Sequence, residues 1–194
     1  MSLRIIGGSF KGRLLKAPTG PLARPTMSMM RKAVFDICQS EIEGARFLDL
    51  FSCSGAMGIE ALSRGASHST FIEKDKKTFH LLLENLKILN VQNQATAFLG
   101  DVFSQVKRLS SSYDIIYIDP PYPLTESPDK PILSLLNFLD KSSLLEPFCT
   151  LFLEERAPGF FSPKNFTFQK LQYKNTRQFG SSLLHQFTYE TTSN

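Results

Sequence analysis

The sequence predicts an α/β domain built on a doubly wound, mostly parallel sheet of seven strands that ends in an antiparallel hairpin. Three observations carry this. From residue 45 onward short apolar runs alternate with segments of helical periodicity. A glycine-containing turn joins the first run to the first helix, and the last two runs lack a helix between them.

Taken in order, Arg46-Phe47-Leu48-Asp49-Leu50 is a short apolar strand, followed by a turn and a helix over Ala56 to Ser63. Ser69 to Glu73 is the second strand, and the helix after it carries Phe79, Leu82, Leu83, Leu86 and Leu89 on one side. Thr96 to Leu99 and the Tyr113 to Ile118 run are the third and fourth strands. Leu133 to Leu139 is helical, and Cys149 to Glu154 is the fifth strand. Phe166 to Leu171 and Leu183 to Tyr189 form the closing hairpin.

Ahead of this pattern, Leu3 to Ile6 and Gly12 to Leu15 read as a hairpin broken at Gly7-Gly8. A Pro- and Gly-bearing link, Ala17 to Pro25, leads to Thr26 as an N-cap. Met30, Ala33, Val34 and Ile37 then follow helical spacing. This places a basic appendage at 1–40 and the main domain at 41–194. The chain's 194 residues suit one ordinary domain with such an addition.

Charge is modest overall, +4, but unevenly spread. Arg4, Lys11, Arg13, Lys16, Arg24, Arg31 and Lys32 precede the first acid, Asp36, and apolar residues, Gly and Pro interleave with them. A folded block of one sign points to a polyanion, here nucleic acid. The three cysteines, Cys38, Cys53 and Cys149, form no C-x-x-C pair, which argues against zinc and against a disulfide framework. No stretch resembles a signal peptide or a membrane span, so the expectation is a soluble, cytoplasmic protein without a metal.

Two segments carry chemistry. The first runs from Asp49 to Gly58 as strand, tight turn and helix. Gly55 and Gly58 permit close backbone approach, and the helix start offers unpaired N–H groups. Glu73, at the end of the second strand, suits the two hydroxyls of a ribose. The turn is not G-x-G-x-x-G, since Cys53 stands at its first glycine, and no P-loop is present. An acid at Asp49 disfavours phosphate and suits an ammonium group. Together these favour S-adenosylmethionine over a nicotinamide cofactor. Asp101 follows the third strand, where it either accepts from an adenine amino group or caps the next helix.

The second segment is Asp119-Pro120-Pro121-Tyr122. Two prolines end the fourth strand and stiffen the backbone beyond it. A carboxylate, bare carbonyls and an aromatic ring then meet at a strand's C-terminal end, where open α/β sheets bind ligands. Such a group suits a flat ring with an exocyclic amine, the ring stacking and the acceptors holding the amine hydrogens.

Arg4-Ile5-Ile6-Gly7-Gly8, Lys11-Gly12-Arg13, Arg24-Pro25-Thr26, Asp49-x-Phe51, Ser54-Gly55-Ala56-x-Gly58-x-Glu60-Ala61-x-Ser63-Arg64-Gly65-Ala66 and Asp119-Pro120-Pro121-Tyr122 stand in that order. On these motifs the chain resembles the RsmD-type 16S rRNA guanine-N2 methyltransferases over roughly residues 3 to 190. The resemblance implies a class I methyltransferase sheet, S-adenosylmethionine as donor and a guanine of small-subunit rRNA as acceptor, in RNA or a partly assembled 30S particle, by a monomer. It implies that Asp49, Phe51, Cys53, Ser54, Gly55 and Gly58 hold the methionine part of the cofactor, with Glu73 on the ribose and Asp101 on the adenine. Asp119, Pro120, Pro121 and Tyr122 would take the base, and Arg4, Lys11, Arg13, Arg24 and Arg31 would contact RNA. Two departures stand out: Cys53 replaces the family's glycine, and Ser28-Met29 with Arg31-Lys32 replaces its Asp-Arg and Arg-Glu pairs. The alternatives are a DNA adenine-N6 or cytosine-N4 methyltransferase, sharing the tetrapeptide, and a non-catalytic RNA-binding assembly factor.

Overall fold

The computed structural model describes residues 3–18, 27–125, 131–159 and 162–190; the side chains of Met27, Tyr122 and Pro123 also lie outside the description. Its strands are β1 (Leu3–Arg4), β2 (Leu14–Leu15), β3 (Arg46–Leu50), β4 (His68–Glu73), β5 (Ala95–Leu99), β6 (Tyr113–Ile118), β7 (Leu145–Arg156), β8 (Leu171–Phe179) and β9 (Ser182–Tyr189). The helices are α1 (Met27–Ile37), α2 (Ala56–Ser63), α3 (Lys76–Leu89), α4 (Val102–Gln105), α5 (Tyr122–Thr125) and α6 (Pro131–Lys141).

β1 and β2 pair as a small antiparallel ribbon, and the other strands form a seven-stranded sheet in the order β5-β4-β3-β6-β7-β9-β8. The strands β5-β4-β3-β6-β7 run parallel to one another, while β9 runs antiparallel to both β7 and β8. The strand order reverses between β3 and β6, so their C-terminal ends frame the crevice where doubly wound sheets bind ligands.

Both faces of the sheet are covered. Leu48, Leu50, Ile116, Ile118, Leu151 and Leu153 pack against Ile132, Leu135, Leu136 and Leu139 of α6. On the other face Phe47, Ile115, Tyr117 and Phe152 meet Met30, Val34 and Phe35 of α1 and Met57 and Ala61 of α2. α1 of the N-terminal appendage shares one apolar cluster with the sheet. Ile5 and Leu15 of the N-terminal ribbon likewise bury against Ile59, Leu62, Leu82 and Leu86.

The parallel strands and their helices match the sequence reading to within a few residues, but the closing hairpin is shifted. Phe166 to Lys170 forms no strand; pairing begins at Leu171. The buried carboxylate of Asp140 on α6 accepts from the amides of Gln169, Lys170 and Leu171 at 2.7–2.8 Å, which ties this stretch to α6 instead of to β9. Phe168 still packs edge-on against Phe187, so its apolar spacing records burial and not strand pairing. Leu83 also departs from expectation: it is 42% exposed, and the buried stripe of α3 is Leu82, Asn85, Leu86 and Leu89. The N-cap expected at Thr26 and the loop from 126 to 130 lie outside the described residues.

Candidate active site

The chain leaves β3 through a turn that twice forces a side-chain-bearing residue into left-handed backbone: Phe51 has φ 63° and Cys53 φ 50°, ahead of Gly55 at 83°. Cys53 therefore takes up a conformation that favours glycine, without losing the turn. Gly55 N donates to Ser52 O at 2.7 Å, which closes the turn, and Cys53 N donates to Glu73 Oε2 at 2.7 Å. The other oxygen of Glu73 accepts from Asp75 N at 2.7 Å. Glu73 thus braces the turn from the end of β4, beside the position expected to meet a ribose.

Asp49 sits beneath this turn, fully buried, with Oδ2 accepting from Gly58 N at 2.9 Å in the first turn of α2. Burial pushes its carboxyl up to about 7; the Gly58 hydrogen bond opposes the rise and the nearby Glu73 charge adds to it. A carboxyl held there gains most from a cationic partner. Gly58 has no room for a side chain, since an added Cβ would stand 2.3 Å from the buried Phe71 ring. Burial, then the Glu73 charge, pushes the Cys53 thiol up to about 11, which disfavours the thiolate form.

Asp101 caps α4, its carboxylate accepting from Phe103 N at 3.1 Å, and Lys74 Nζ approaches the second oxygen at 3.5 Å. Of the two readings open from the sequence, the cap is present, and the outer oxygen faces a partly exposed setting.

Asp119 and the turn share one edge of the sheet. β3 and β6 are adjacent and in register, Leu50 opposite Ile118, and Asp119 N donates to Leu50 O at 3.4 Å. The Asp119 charge reaches the Cys53 thiol, raising it further. Pro120 is buried, Pro121 is exposed, and Pro121 O accepts from Leu124 N at 2.9 Å, starting the short helix that Tyr122 opens. The glycine turn and the Asp-Pro-Pro-Tyr segment are therefore neighbours. The Tyr122 ring lies outside the described atoms.

The basic residues divide. Arg4, Lys11 and Arg13 are exposed on the N-terminal ribbon, where Arg4 Nη1 donates to Gly12 O at 2.5 Å and Arg13 Nη2 to Ile88 O at 2.9 Å. Arg24 is outside the described residues. Arg31 corrects the expectation of an RNA contact: it is 2% exposed, its Nε lies 3.3 Å from Glu60 Oε2, and its Nη2 donates to Arg4 O at 2.8 Å. A buried guanidinium paired with a buried carboxylate is internal structure.

Two residues with no role assigned from the sequence tie these parts together. Glu60, fully buried on α2, accepts from Ile6 N at 2.9 Å and Gly7 N at 2.7 Å and also pairs with Arg64. Asn85, buried on α3, exchanges hydrogen bonds with the backbone of Lys16 and donates to Ser54 O in the turn at 3.0 Å. The available signal was a polar side chain inside an apolar helical stripe, which must find buried partners.

The family profile described as "conserved hypothetical protein 95" matches residues 3–187. The chain belongs to this family, the RsmD-type rRNA methyltransferases. It is similar to the ribosomal RNA small subunit methyltransferase D of Buchnera aphidicola, 34% identical over 175 residues that span 90% of this chain and 89% of that protein. Among solved structures it resembles a putative methyltransferase, yhhF, from Escherichia coli, at 27% identity and TM-score 0.82, with 99% of this chain and 100% of that one covered. A putative methyltransferase, SMU.776, crystallised with S-adenosylhomocysteine, shares the fold at 19% identity and TM-score 0.64, covering 84% of this chain and 49% of that one.

Proposed function

We propose that the protein transfers a methyl group from S-adenosylmethionine to the exocyclic N2 amine of a guanine in small-subunit rRNA. The observation that carries this reading is the hydrogen bond from Asp119 N to Leu50 O, which sets the start of the Asp-Pro-Pro-Tyr segment beside the last residue of β3, from which the glycine turn departs. The donor set fits the cofactor: a buried carboxyl at Asp49 that favours a cationic partner, a tight turn held through left-handed backbone at Gly55, and carboxylates at the end of β4 and just after β5. Asp49 and the turn would hold its methionine part, Glu73 its ribose and Asp101 its adenine. When bound, it supplies a methyl group on a sulfonium, a strong electrophile that departs as a neutral thioether.

The chain's own residues supply alignment. The N2 lone pair of guanine is delocalised into the ring and is a poor nucleophile. Acceptance of the amine hydrogens by the Asp119 carboxylate and the Pro120 carbonyl turns that lone pair out of conjugation. Once the N–CH3 bond forms, the nitrogen loses one proton, to Asp119 or to water. Stacking by the Tyr122 ring would hold the base out of its own stack. Arg4, Lys11 and Arg13 would grip phosphates, giving affinity with little sequence information. The work would take place in the cytoplasm, on rRNA or a partly assembled subunit.

Mass spectrometry of rRNA from cells with and without the protein tests the reading. One N2-methylguanosine in the small subunit is expected to disappear with the protein and to return with an active copy. An unchanged set of methylated guanines refutes it.

A further inference from the structure

β6 and β7 are parallel with Ile118 opposite Leu153, so Glu154 comes next on β7, level with Asp119 as the chain leaves β6. Residue alternation puts Tyr117 and Glu154 on the same face of the sheet, and the buried Tyr117 hydroxyl donates to Glu154 Oε2 at 2.6 Å. Glu154 itself is only half-buried, and among the described residues no donor reaches its Oε1. A carboxylate is more than the phenol requires: the other buried tyrosine of β6, Tyr113, is satisfied by the Thr70 hydroxyl at 3.2 Å. Burial, then the charges of Glu154 and Asp119, drives the Tyr117 phenol well up, so it stays a donor to Glu154.

We propose that Glu154 determines base specificity by accepting the N1–H of the target guanine while Asp119 accepts from its N2 amine, with Tyr117 as the positioning residue that aims Glu154. The proposal rests on the guanine-N2 reading above. Guanine is the base whose Watson–Crick edge presents N1–H and N2–H donors side by side. Adenine offers a lone pair at N1 and cytosine one at N3, and a carboxylate facing either lone pair meets repulsion and an unfilled acceptor. Two adjacent carboxylates at the end of β6 and β7 thus match one base and reject the other amine-bearing ones.

The test is methyl transfer to an RNA substrate carrying guanine, or 2-aminopurine, at the mapped target position. 2-Aminopurine keeps the reacting amine but replaces N1–H with a lone pair. The wild-type protein should prefer guanine by at least about 100-fold, a discount for partial exposure on the roughly 10,000-fold of a fully desolvated polar site. Glu154→Gln offers an amide N–H to that lone pair and should collapse the preference by tenfold or more. Tyr117→Phe should lower it less, by freeing Glu154 to swing. Simple structural damage would slow both substrates alike and leave the ratio unmoved. If Glu154→Gln folds poorly, Glu154→Asp withdraws the carboxylate by one methylene and should also lower the ratio. Guanine methylation by the wild type with an unchanged ratio in the variants overturns the role of Glu154 and leaves the guanine-N2 reading standing. No methylation of guanine by the wild type in any rRNA substrate overturns both.

Discussion

The Gly58 amide donates to Asp49 Oδ2 at 2.9 Å, so the first turn of α2 and the C-terminal end of β3 meet on one buried carboxyl whose burial raises it to about 7. Asp49 holds its proton more tightly in the folded protein than in the unfolded chain, where it titrates near 3.8. The stabilisation this provides is complete below 3.8 and is lost as pH rises to about 7, on the order of 4 kcal/mol at most. The cofactor-free protein should lose thermal stability between about pH 4 and pH 7, and Asp49→Asn should remove most of that slope while raising the melting temperature at pH 8. A cationic ligand needs the ionised form, so calorimetry below about pH 7 should show proton release on binding and affinity falling by about tenfold per pH unit. Asp49→Asn should bind weakly with a flat pH profile.

Gly58→Ala tests the packing behind that contact. The new methyl would stand 2.3 Å from Phe71 Cε1 and 2.7 Å from Cζ, and Phe71 is fully buried with no space to retreat. Alanine's better helix propensity is worth at most about 1 kcal/mol, whereas overpacking costs about 1–3 kcal/mol. Net destabilisation by denaturant titration is expected, with weaker cofactor binding because the Gly58 amide must move off Asp49.

Cys53 offers the opposite outcome. Its φ of 50° disfavours any residue with a Cβ by roughly 1–2 kcal/mol, and glycine there gives part of this back as chain entropy. Cys53→Gly should therefore stabilise by about 0.5–1 kcal/mol, and Cys53→Ala should not. Methyl transfer should survive both. With its thiol pushed up to about 11, Cys53 should alkylate slowly at pH 7.5 in the native protein and at the ordinary rate once unfolded.

The division between what the sequence disclosed and what it hid comes from range. Local periodicity placed β3, α2 and β6, and the turn chemistry of Gly55 and the prolines placed the site at their ends, because neighbours in sequence set those features. Arg31 was misassigned for the same reason. Its local setting is a run of basic residues, while the carboxylate that buries it, Glu60, is 29 residues away on another helix. Phe166 to Lys170 alternates like a strand, yet Asp140, about 30 residues upstream, takes three of the amides at its end. Cys53 lay between these cases: the sequence marked it as a departure, and only the backbone shows that it keeps the glycine-like turn.

Arg31 and Arg13 should separate stability from RNA binding. Arg13 is exposed on the N-terminal ribbon, so Arg13→Ala should weaken RNA binding and reduce its salt dependence by about one counterion, with melting temperature nearly unchanged. Arg31→Ala would strand the Glu60 carboxylate, buried against Ile6 N, Gly7 N and Arg64, with one of its two cations gone. Removing one partner of a buried ion pair costs about 3–5 kcal/mol, somewhat less here because Arg64 remains. The same carboxylate holds the ribbon that displays Arg4, Lys11 and Arg13, so Glu60→Ala should both destabilise the protein and weaken RNA binding. Deleting the ribbon outright would unpair Glu60 as well, which makes point substitutions the cleaner measurement. Filter-binding titrations across salt, run beside thermal unfolding, distinguish the three variants; a loss of RNA affinity in Arg31→Ala with full stability would place that guanidinium at the RNA surface after all.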